Sequence, residues 1–351
     1  MTLNQKKINH KKSLTDNKLT FDWPIIGHKN IIHFLEKSIL NQNLSHAYLF
    51  TGPKHLGKKK MAELLITNVL CQGIKRPCGQ CLHCRQLKSG FHPDIFIIKK
   101  ETDKSGKIRK NISIEQIRPL KKSLATSSFL NSYKFALINE AECLSEGASN
   151  ALLKTLEEPE KKTILILIAN EPDKILPTIK SRCQTIQFLP VTKKEIADYL
   201  LNFSAKSNLS QTLANFSQGR PGVAIKFLNN QDLFKKHNQQ TELFLDLINQ
   251  NLTERFKAVN EIINFKNESD NNILVLEDLL NKWTLVLRDI ILIKNMSTQF
   301  VANQFLIKKM ENIKFNQGLI LNWLSAIERA KNNLKQNINP KLILENLVLI
   351  F

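Results

Sequence analysis

The sequence has no apolar run that approaches the roughly 18 residues of a membrane-spanning helix. Its longest apolar stretch, residues 164–169, has the length of a strand. Residues 1–20 are rich in Lys and Asn and contain no apolar segment, so they do not resemble a signal peptide. We therefore expect no membrane partner and a cytoplasmic protein.

Acidic residues are few: 31 Asp and Glu stand against 51 Lys and Arg, which gives a formal net charge of +20. Such an excess of positive charge favours a polyanionic partner such as nucleic acid. The lysines are scattered along the chain, however, as a compositionally biased genome would produce, and scattered charge is typical of solvated helix faces. The charge therefore permits a nucleic-acid partner without identifying one.

One nucleotide-binding motif is nearly complete but lacks a metal ligand. Residues 46–59 read as a buried strand, a glycine-bounded loop and the start of a helix, with the P-loop spacing Gly52-x4-Gly57-Lys58. In a P-loop, backbone N–H groups surround phosphate, the lysine reaches the terminal phosphates and a following Ser or Thr coordinates Mg²⁺. Here the following residue is Lys59, and its ammonium group replaces the metal ligand.

A second metal ligand is missing where the apolar strand 134–138 ends. P-loop ATPases present an aspartate at this point to hold the same Mg²⁺. Asn139 occupies the position, and Glu140 follows it. Because two matching elements occur in the right order, a chance match is a poor explanation. The sequence predicts an ATPase core that has lost hydrolysis and Mg²⁺, and it leaves open whether the loop still binds ATP passively.

Cysteine is also infrequent, but four of the six cysteines fall within fourteen residues. They are Cys71, Cys78, Cys81 and Cys84. Four thiolates at these spacings can surround one tetrahedral Zn²⁺, so we expect a structural zinc module over residues 71–84. A closed four-sulfur site implies no chemistry of its own.

Other roles for the cysteines are weaker. A disulfide does not suit a reducing cytoplasm, and an iron–sulfur cluster, which also accepts four cysteines, lacks any nearby sign of electron transfer. His83 and His92 are expected not to be ligands, because four sulfurs already fill the site. Cys143 and Cys183 are interpreted as isolated buried thiols.

Strand and helix patterns alternate from about residue 30 to residue 188, which predicts a parallel-sheet α/β core covered on both faces. The predicted strands after the P-loop are 94–98, 133–138, 163–169 and 184–188, and the predicted helices are 30–40, 58–69, 114–125 and 148–157. The strand signal disappears at Pro190. Thr192 and Glu195 then form a capping box for the first of several short helices.

The chain accordingly divides into four regions. We expect a flexible basic extension at 1–20, an α/β domain at 21–189 that contains the zinc module, a small helical lid at 190–232 and an all-α domain at 233–351. The last helix should begin at Asn339-Pro340, since Asn is a favoured cap and Pro a favoured first helical residue.

Further motifs, together with a zinc module after a P-loop, resemble the bacterial replicative clamp loaders, a family of AAA+ proteins. They are residues 149–159, Ser-Asn-Ala-Leu-Leu-Lys-Thr-Leu-Glu-Glu-Pro, and residues 177–183, Pro-Thr-Ile-Lys-Ser-Arg-Cys. The resemblance runs from about residue 21 to 222, whereas the C-terminal third is similar only in helical character. Intact ATPases of this family, the gamma/tau subunits, carry Lys-Ser or Lys-Thr in the P-loop and Asp-Glu at the strand end, so this chain resembles a non-hydrolysing member.

The resemblance implies roles for individual residues. Arg182 matches the arginine that reaches across a subunit interface to the ATP of a neighbouring gamma subunit, where a guanidinium can stabilise charge on the γ-phosphate. Asn170 and Arg220 match two nucleotide-sensing positions, for which loop and cap chemistry are the alternatives. In residues 149–159 the leucines are expected to fill core, which leaves Lys154, Glu157 and Glu158 free to meet neighbours or DNA.

The resemblance also implies partners. The chain would be a stator without catalytic activity of its own, in a hetero-pentamer with gamma/tau and delta subunits of DNA polymerase III. The pentamer would open a sliding clamp and place it on primed DNA, and the C-terminal helices would form a collar that closes the ring.

Two other functions are compatible with parts of the sequence. A gamma/tau-like motor or DNA-dependent ATPase is favoured by Lys58 and Glu140, and Lys59 and Asn139 argue against it. A free-standing zinc protein that binds nucleic acid would leave Arg182 and its flanking residues unexplained.

Overall fold

A computed structural model of the chain describes residues 19–103, 106, 108–130, 132–203, 206–264, 272–313, 316–336 and 338–351. The extension expected at residues 1–20 therefore lies outside the described residues, except for its last two positions.

Short apolar segments form strands, and longer amphipathic segments form helices. The strands are β1 (Thr20–Phe21), β2 (Ala47–Thr51), β3 (Lys75–Arg76), β4 (Ile95–Ile98), β5 (Lys134–Ile138), β6 (Thr163–Ala169) and β7 (Gln184–Gln187). The helices are α1 (Lys29–Leu40), α2 (Lys58–Leu70), α3 (Leu82–Ser89), α4 (Ile114–Leu124), α5 (Glu146–Glu157), α6 (Pro177–Lys180), α7 (Lys193–Leu201), α8 (Ser207–Ser217), α9 (Pro221–Asn229), α10 (Gln231–Asn249), α11 (Leu252–Asn264), α12 (Asn272–Lys294), α13 (Ile307–Glu311), α14 (Gln317–Lys335) and α15 (Pro340–Ile350).

One parallel sheet has the strand order β4-β5-β6-β2-β7, which confirms the predicted parallel α/β core. Strand β2 is an interior strand of the sheet, since Leu49 pairs with Leu167 of β6 on one side and with Thr185 of β7 on the other. The carboxyl ends of parallel strands share one edge of the sheet. The segments that follow β2, β5 and β6 are therefore neighbours.

Helices cover both faces of this sheet. Side chains alternate along β2, so that Tyr48 and Phe50 pack with apolar residues of α1 and α2, whereas Ala47 and Leu49 pack with those of α4 and α5. All residues of β2, β5 and β6 are buried, which is why these strands read as continuous apolar runs.

Beyond the sheet, helices α7, α8 and α9 share a small core that includes Ile196, Leu213 and Ala224. The predicted capping box starts α7: the Thr192 hydroxyl accepts from the backbone N–H of Glu195 at 3.3 Å, and the Glu195 carboxylate accepts from the backbone N–H of Thr192 at 3.3 Å. These two bonds confirm the helix start that the sequence indicates.

Helices α10 to α15 form a separate core around two buried tryptophans. The ring of Phe351 lies 5.8 Å from that of Trp283 and 5.4 Å from that of Trp323. Asn339 caps α15 by accepting from the backbone N–H of Lys341 at 2.9 Å, as predicted. None of the described helices is both long and apolar enough to cross a membrane.

Two local differences from the predicted elements have simple causes. Helix α5 begins two residues earlier than expected, because the Ser145 hydroxyl caps it by accepting from the backbone N–H of Ala148 at 3.2 Å. Helix α3 was not expected at all, since it lacks an extended apolar pattern. Its N-cap is Cys81, whose sulfur accepts from the backbone N–H of Cys84 at 3.5 Å.

Candidate functional site

The predicted P-loop joins β2 to α2 and needs both of its glycines. Gly52 and Gly57 have φ values of +126° and +95°, in the range that L residues rarely adopt. A Cβ atom on Gly52 would also lie 2.4 Å from the carbonyl oxygen of Phe188, directly after β7. The loop is therefore held close to the neighbouring strand.

The lysine of the loop already has hydrogen-bond partners within its own chain. Lys58 is 4% exposed, and its ammonium group donates to the carbonyl oxygens of Gly52 and of Pro53, the latter at 2.6 Å. It also donates to Asn170 Oδ1 at 3.1 Å. Burial lowers the pKa of Lys58 to about 8. The loop thus closes around the lysine side chain.

Asn170, which follows β6, connects this lysine to a carboxylate that sequence reasoning did not single out. Its side-chain Nδ2 and its backbone N–H donate to Glu142 Oε1 at 2.8 and 3.1 Å. Glu142 lies in a single 3₁₀ turn, Ala141–Cys143, just after β5. The sequence signal that could have identified Glu142 is its position, because it is a carboxylate three residues after Asn139, at the end of the same buried strand.

The strand end at β5 offers no free carboxylate at the position next to Asn139. Glu140 has a φ of +53°, and its carboxylate lies 3.1 Å from Lys100 Nζ and 3.9 Å from Lys54 Nζ. Lys59 points along α2, where its Nζ is 3.8 Å from Glu63 Oε1. Glu140 is thus paired with lysines.

The loop also contacts the start of α9. The backbone N–H of Gly222 donates to the carbonyl oxygen of His55 in the loop at 2.9 Å. Arg220, one residue before α9, donates to the Ser217 carbonyl oxygen at 3.3 Å. The pKa of His55 is lowered by burial and then by nearby cations, with Arg220 the strongest of them. The cations near His55 are Arg220, Lys226, Lys54 and Lys58, and together they form a cationic rim around this residue. Such a rim suits a polyphosphate and repels a metal ion.

The four clustered cysteines fit a zinc ion. Their Sγ atoms all lie within 4.8 Å of one another, and those of Cys78 and Cys84 are 4.0 Å apart. Zinc–sulfur bonds of about 2.3 Å in a tetrahedron place sulfurs about 3.8 Å apart. Backbone N–H groups of Gly73 and Cys78 point at the sulfur of Cys71, at 3.4 and 3.3 Å, as donors to a thiolate would. The cluster could hold one metal ion.

The other candidate ligands lie outside this cluster. His83 Nδ1 and His92 Nε2 are 2.9 Å apart and hydrogen-bond to each other. Cys143 and Cys183 are half-buried and not fully buried as expected, and burial raises the pKa of Cys183 to about 12.

Arg182 lies between α6 and β7, and its guanidinium is held by its own chain. Its Nη1 donates to the Thr178 carbonyl oxygen at 3.0 Å and to the Ser181 hydroxyl at 3.4 Å. Its Nη2 lies 2.9 Å from Glu157 Oε1, at the end of α5. The expectation that Glu157 is free to meet neighbours is therefore wrong, because the carboxylate is already paired with this arginine.

The arginine and the P-loop lie at opposite edges of the same sheet. Arg182 precedes β7, whereas the P-loop follows β2, and β2 and β7 are parallel neighbours. Parallel strands place their starts at one edge and their ends at the other. Arg182 is therefore not placed to serve the P-loop of its own chain.

Comparisons with known proteins found consistent similarities. Residues 27–192 match the family described as DNA polymerase III, delta subunit. The DNA polymerase III subunit delta' of Bacillus subtilis is 29% identical over 326 residues, which cover 91% of this chain and 94% of that protein. The delta' subunit of Pseudomonas aeruginosa is 40% identical over 40% of this chain and 42% of that protein. The tau subunit of Bacillus subtilis is 36% identical over 49% of this chain and 30% of that protein.

Proposed function

Because this chain belongs to the delta-prime family of DNA polymerase III clamp-loader subunits, we propose that it acts in DNA replication as a non-hydrolysing stator. In this role it supplies Arg182 in trans to ATP bound by a neighbouring gamma/tau subunit. The observation that carries the proposal is the position of Arg182 at the sheet edge opposite its own P-loop, with the side chain 36% exposed. An arginine so placed can reach a neighbour's γ-phosphate.

The lack of hydrolysis is supported by the surroundings of the P-loop. Lys59 and Asn139 stand where Mg²⁺ ligands belong in an active ATPase, and Glu140 is paired with two lysines. Without Mg²⁺, this edge lacks the ion that in active ATPases neutralises most of the charge that develops on the γ-phosphate.

Passive nucleotide binding would use Gly52, Gly57 and Lys58, with Asn170 and Arg220 beside them. The lysine would first have to exchange its carbonyl partners for phosphate oxygens. The cationic rim around His55 favours phosphate without a metal ion. We therefore assign to this site at most a polyphosphate, held without turnover.

The cysteine cluster is proposed to hold a structural Zn²⁺ through Cys71, Cys78, Cys81 and Cys84. All four positions of a tetrahedral ion are then filled by sulfur, so the metal has no open position for catalysis. The zinc would fix the fold of residues 71–84.

The assembly proposed for this chain is a hetero-pentamer with gamma/tau and delta subunits in the cytoplasm, acting on a sliding clamp and primed DNA. We assign residues 21–189 to the α/β domain, 190–232 to the lid and 233–351 to the collar. The separate helical cores around Ile196 and around Trp283 support this division.

The stator role is tested by replacing Arg182→Ala in the complex reconstituted with gamma/tau and delta. An arginine finger accelerates hydrolysis about 10³-fold or more at the site it serves. ATP turnover by the complex should therefore fall by the fraction of the total rate that this one site contributes. Assembly, measured by gel filtration, should be unchanged. Arg85→Ala removes an exposed arginine from α3 and serves as the matched control. An unchanged ATPase rate with Arg182→Ala would contradict the trans role.

A motor of the gamma/tau kind is the second candidate, because the chain is also similar to a tau subunit and retains Lys58. It requires Mg²⁺-dependent ATP turnover by the isolated, zinc-loaded chain, lost in Lys58→Ala. Absence of turnover by the isolated chain would exclude the motor.

A further inference from the structure

Within the part of the chain that the structure describes, Arg182 makes contacts through two of its three guanidinium nitrogens. Nη1 faces the Thr178 carbonyl oxygen, and Nη2 faces the Glu157 carboxylate. The planar guanidinium carries five N–H donors in a fixed fork. Two anchored nitrogens fix the plane of the fork while donors remain for a further acceptor.

Only one of these anchors comes from a distant part of the sequence. Thr178 and Ser181 lie within four residues of the arginine, whereas Glu157 is the last residue of α5. The carboxylate thus ties the arginine to a second element, packed on the sheet through Leu152 and Leu156.

We propose that Glu157 is a positioning residue for the trans arginine: it holds the Arg182 guanidinium in the orientation in which it meets a neighbour's γ-phosphate. This inference rests on the proposed stator function. In this role Glu157 touches neither the nucleotide nor its phosphates, and it acts only through Arg182.

The sign of the effect follows from two magnitudes. Fixing the rotamers of an arginine beforehand is worth up to about 30-fold, because that freedom need not be lost when the phosphate is met. Competition from an exposed ion pair costs about 1.5- to 5-fold. Both side chains are partly exposed, 36% for Arg182 and 48% for Glu157, so the range for an exposed ion pair applies to their pairing. Since Nη2 alone meets Glu157, the arginine can keep this contact while its other donors meet a phosphate, and loss of Glu157 should slow the reaction.

The test compares Glu157→Ala, Glu157→Gln and Glu160→Ala in the complex reconstituted with gamma/tau and delta. Glu157→Ala should lower kcat for ATP by about half or more of the fall that Arg182→Ala produces, with KM nearly unchanged. Glu157→Gln should restore most of the rate, because its amide oxygen can accept the same hydrogen bond. Glu160→Ala removes a nearby, exposed carboxylate that has no ion pair within the described residues, and it should match the wild type.

A double variant separates positioning from a general loss of stability. Glu157→Ala added to Arg182→Ala should cause no further fall, since the two residues act as one unit. A further fall would show that Glu157 acts through another route and would overturn the inference. If Glu157→Ala fails to fold, Glu157→Ser combined with Arg182→Ala supplies the same comparison, because a serine side chain is too short to reach the guanidinium.

The remaining outcomes are also decisive. A normal rate in Glu157→Ala, together with a reduced rate in Arg182→Ala, overturns the positioning role and leaves the stator function intact. A faster rate in Glu157→Ala would mean that the carboxylate withdraws the arginine, which also overturns the inference. If Arg182→Ala itself has no effect, the proposed stator function is wrong, and the positioning role of Glu157 is wrong with it.

Discussion

Lys58 and Lys59 are adjacent in sequence but have opposite surroundings. Lys58 is buried and donates to the carbonyl oxygens of Gly52 and Pro53, whereas Lys59 is exposed and has Glu63 on the same helix as its partner. In the first case the ammonium group is a structural part of the loop. In the second it is a surface charge of the kind that contributes little to stability.

We expect Lys58→Ala to lower the free energy of unfolding by about 1–3 kcal/mol, because the carbonyl oxygens of Gly52 and Pro53 lose their donor. Lys59→Ala, the matched control, should change it by less than about 0.5 kcal/mol. Urea unfolding followed by circular dichroism measures both. Equal values for the two variants would show that the closed loop does not depend on its lysine.

At the scale of elements, the segment before α1 links the cysteine cluster to the P-loop. Strand β1 pairs with β3 inside the cluster region, through the backbone N–H of Thr20 and the Ile74 carbonyl oxygen at 3.0 Å. Further along the same segment, His28 Nε2 lies 2.9 Å from the carbonyl oxygen of Leu56 in the loop. The chain between residues 20 and 28 therefore spans both sites.

Removal of zinc should loosen this segment as well as the cluster. After treatment with a chelator under reducing conditions, hydrogen exchange should accelerate by about tenfold or more at 71–84 and at 19–28, because β1 loses its partner strand. Residues 231–249, in the C-terminal core, should keep their protection. Fast exchange at 71–84 with unchanged exchange at 19–28 would show that β1 does not depend on the metal.

A matched variant separates the cluster from other thiols. Cys183→Ser changes a cysteine outside the cluster and should leave exchange at 19–28 as in the wild type. Cys78→Ser removes one of the four sulfurs and should reproduce the effect of the chelator. Readdition of Zn²⁺, and not of Mg²⁺, should restore protection in the wild type.

Elements with a local signal were predictable from the sequence. The apolar run of β6 and the glycine spacing of the P-loop depend on neighbouring residues only, and the capping box at Thr192 is equally local. The pairing of β1 with β3 was not predictable, because each strand is two residues long and their sequence separation is large. Glu142 was missed, and the pairing of Glu157 was not expected, for the same reason: their roles come from contacts with Asn170 and Arg182, which only the fold brings near.

At the scale of the whole molecule, helix α15 has one apolar face buried and another exposed. Leu347 and three other apolar residues face the C-terminal core, whereas Leu342 and Leu349 are 52% and 56% exposed. Trp323 fixes the end of the helix by donating to the Ile350 carbonyl oxygen at 2.9 Å. The buried face and this hydrogen bond fix the helix in place, so its exposed face is available for a contact, and a collar contact would bury it.

The two faces of α15 should respond oppositely to substitution. Leu347→Ala leaves a cavity in the core and should lower the free energy of unfolding by about 2–5 kcal/mol. Leu349→Glu lies at the surface and should change the free energy of unfolding by less than about 0.5 kcal/mol, yet it places a charge in the proposed collar, where an unpaired buried charge is strongly unfavourable. Gel filtration with gamma/tau and delta should then show a folded chain that elutes alone. If Leu349→Glu still elutes with its partners in wild-type proportion, this face of α15 is not part of the collar, and the ring must close through another surface of the C-terminal helices.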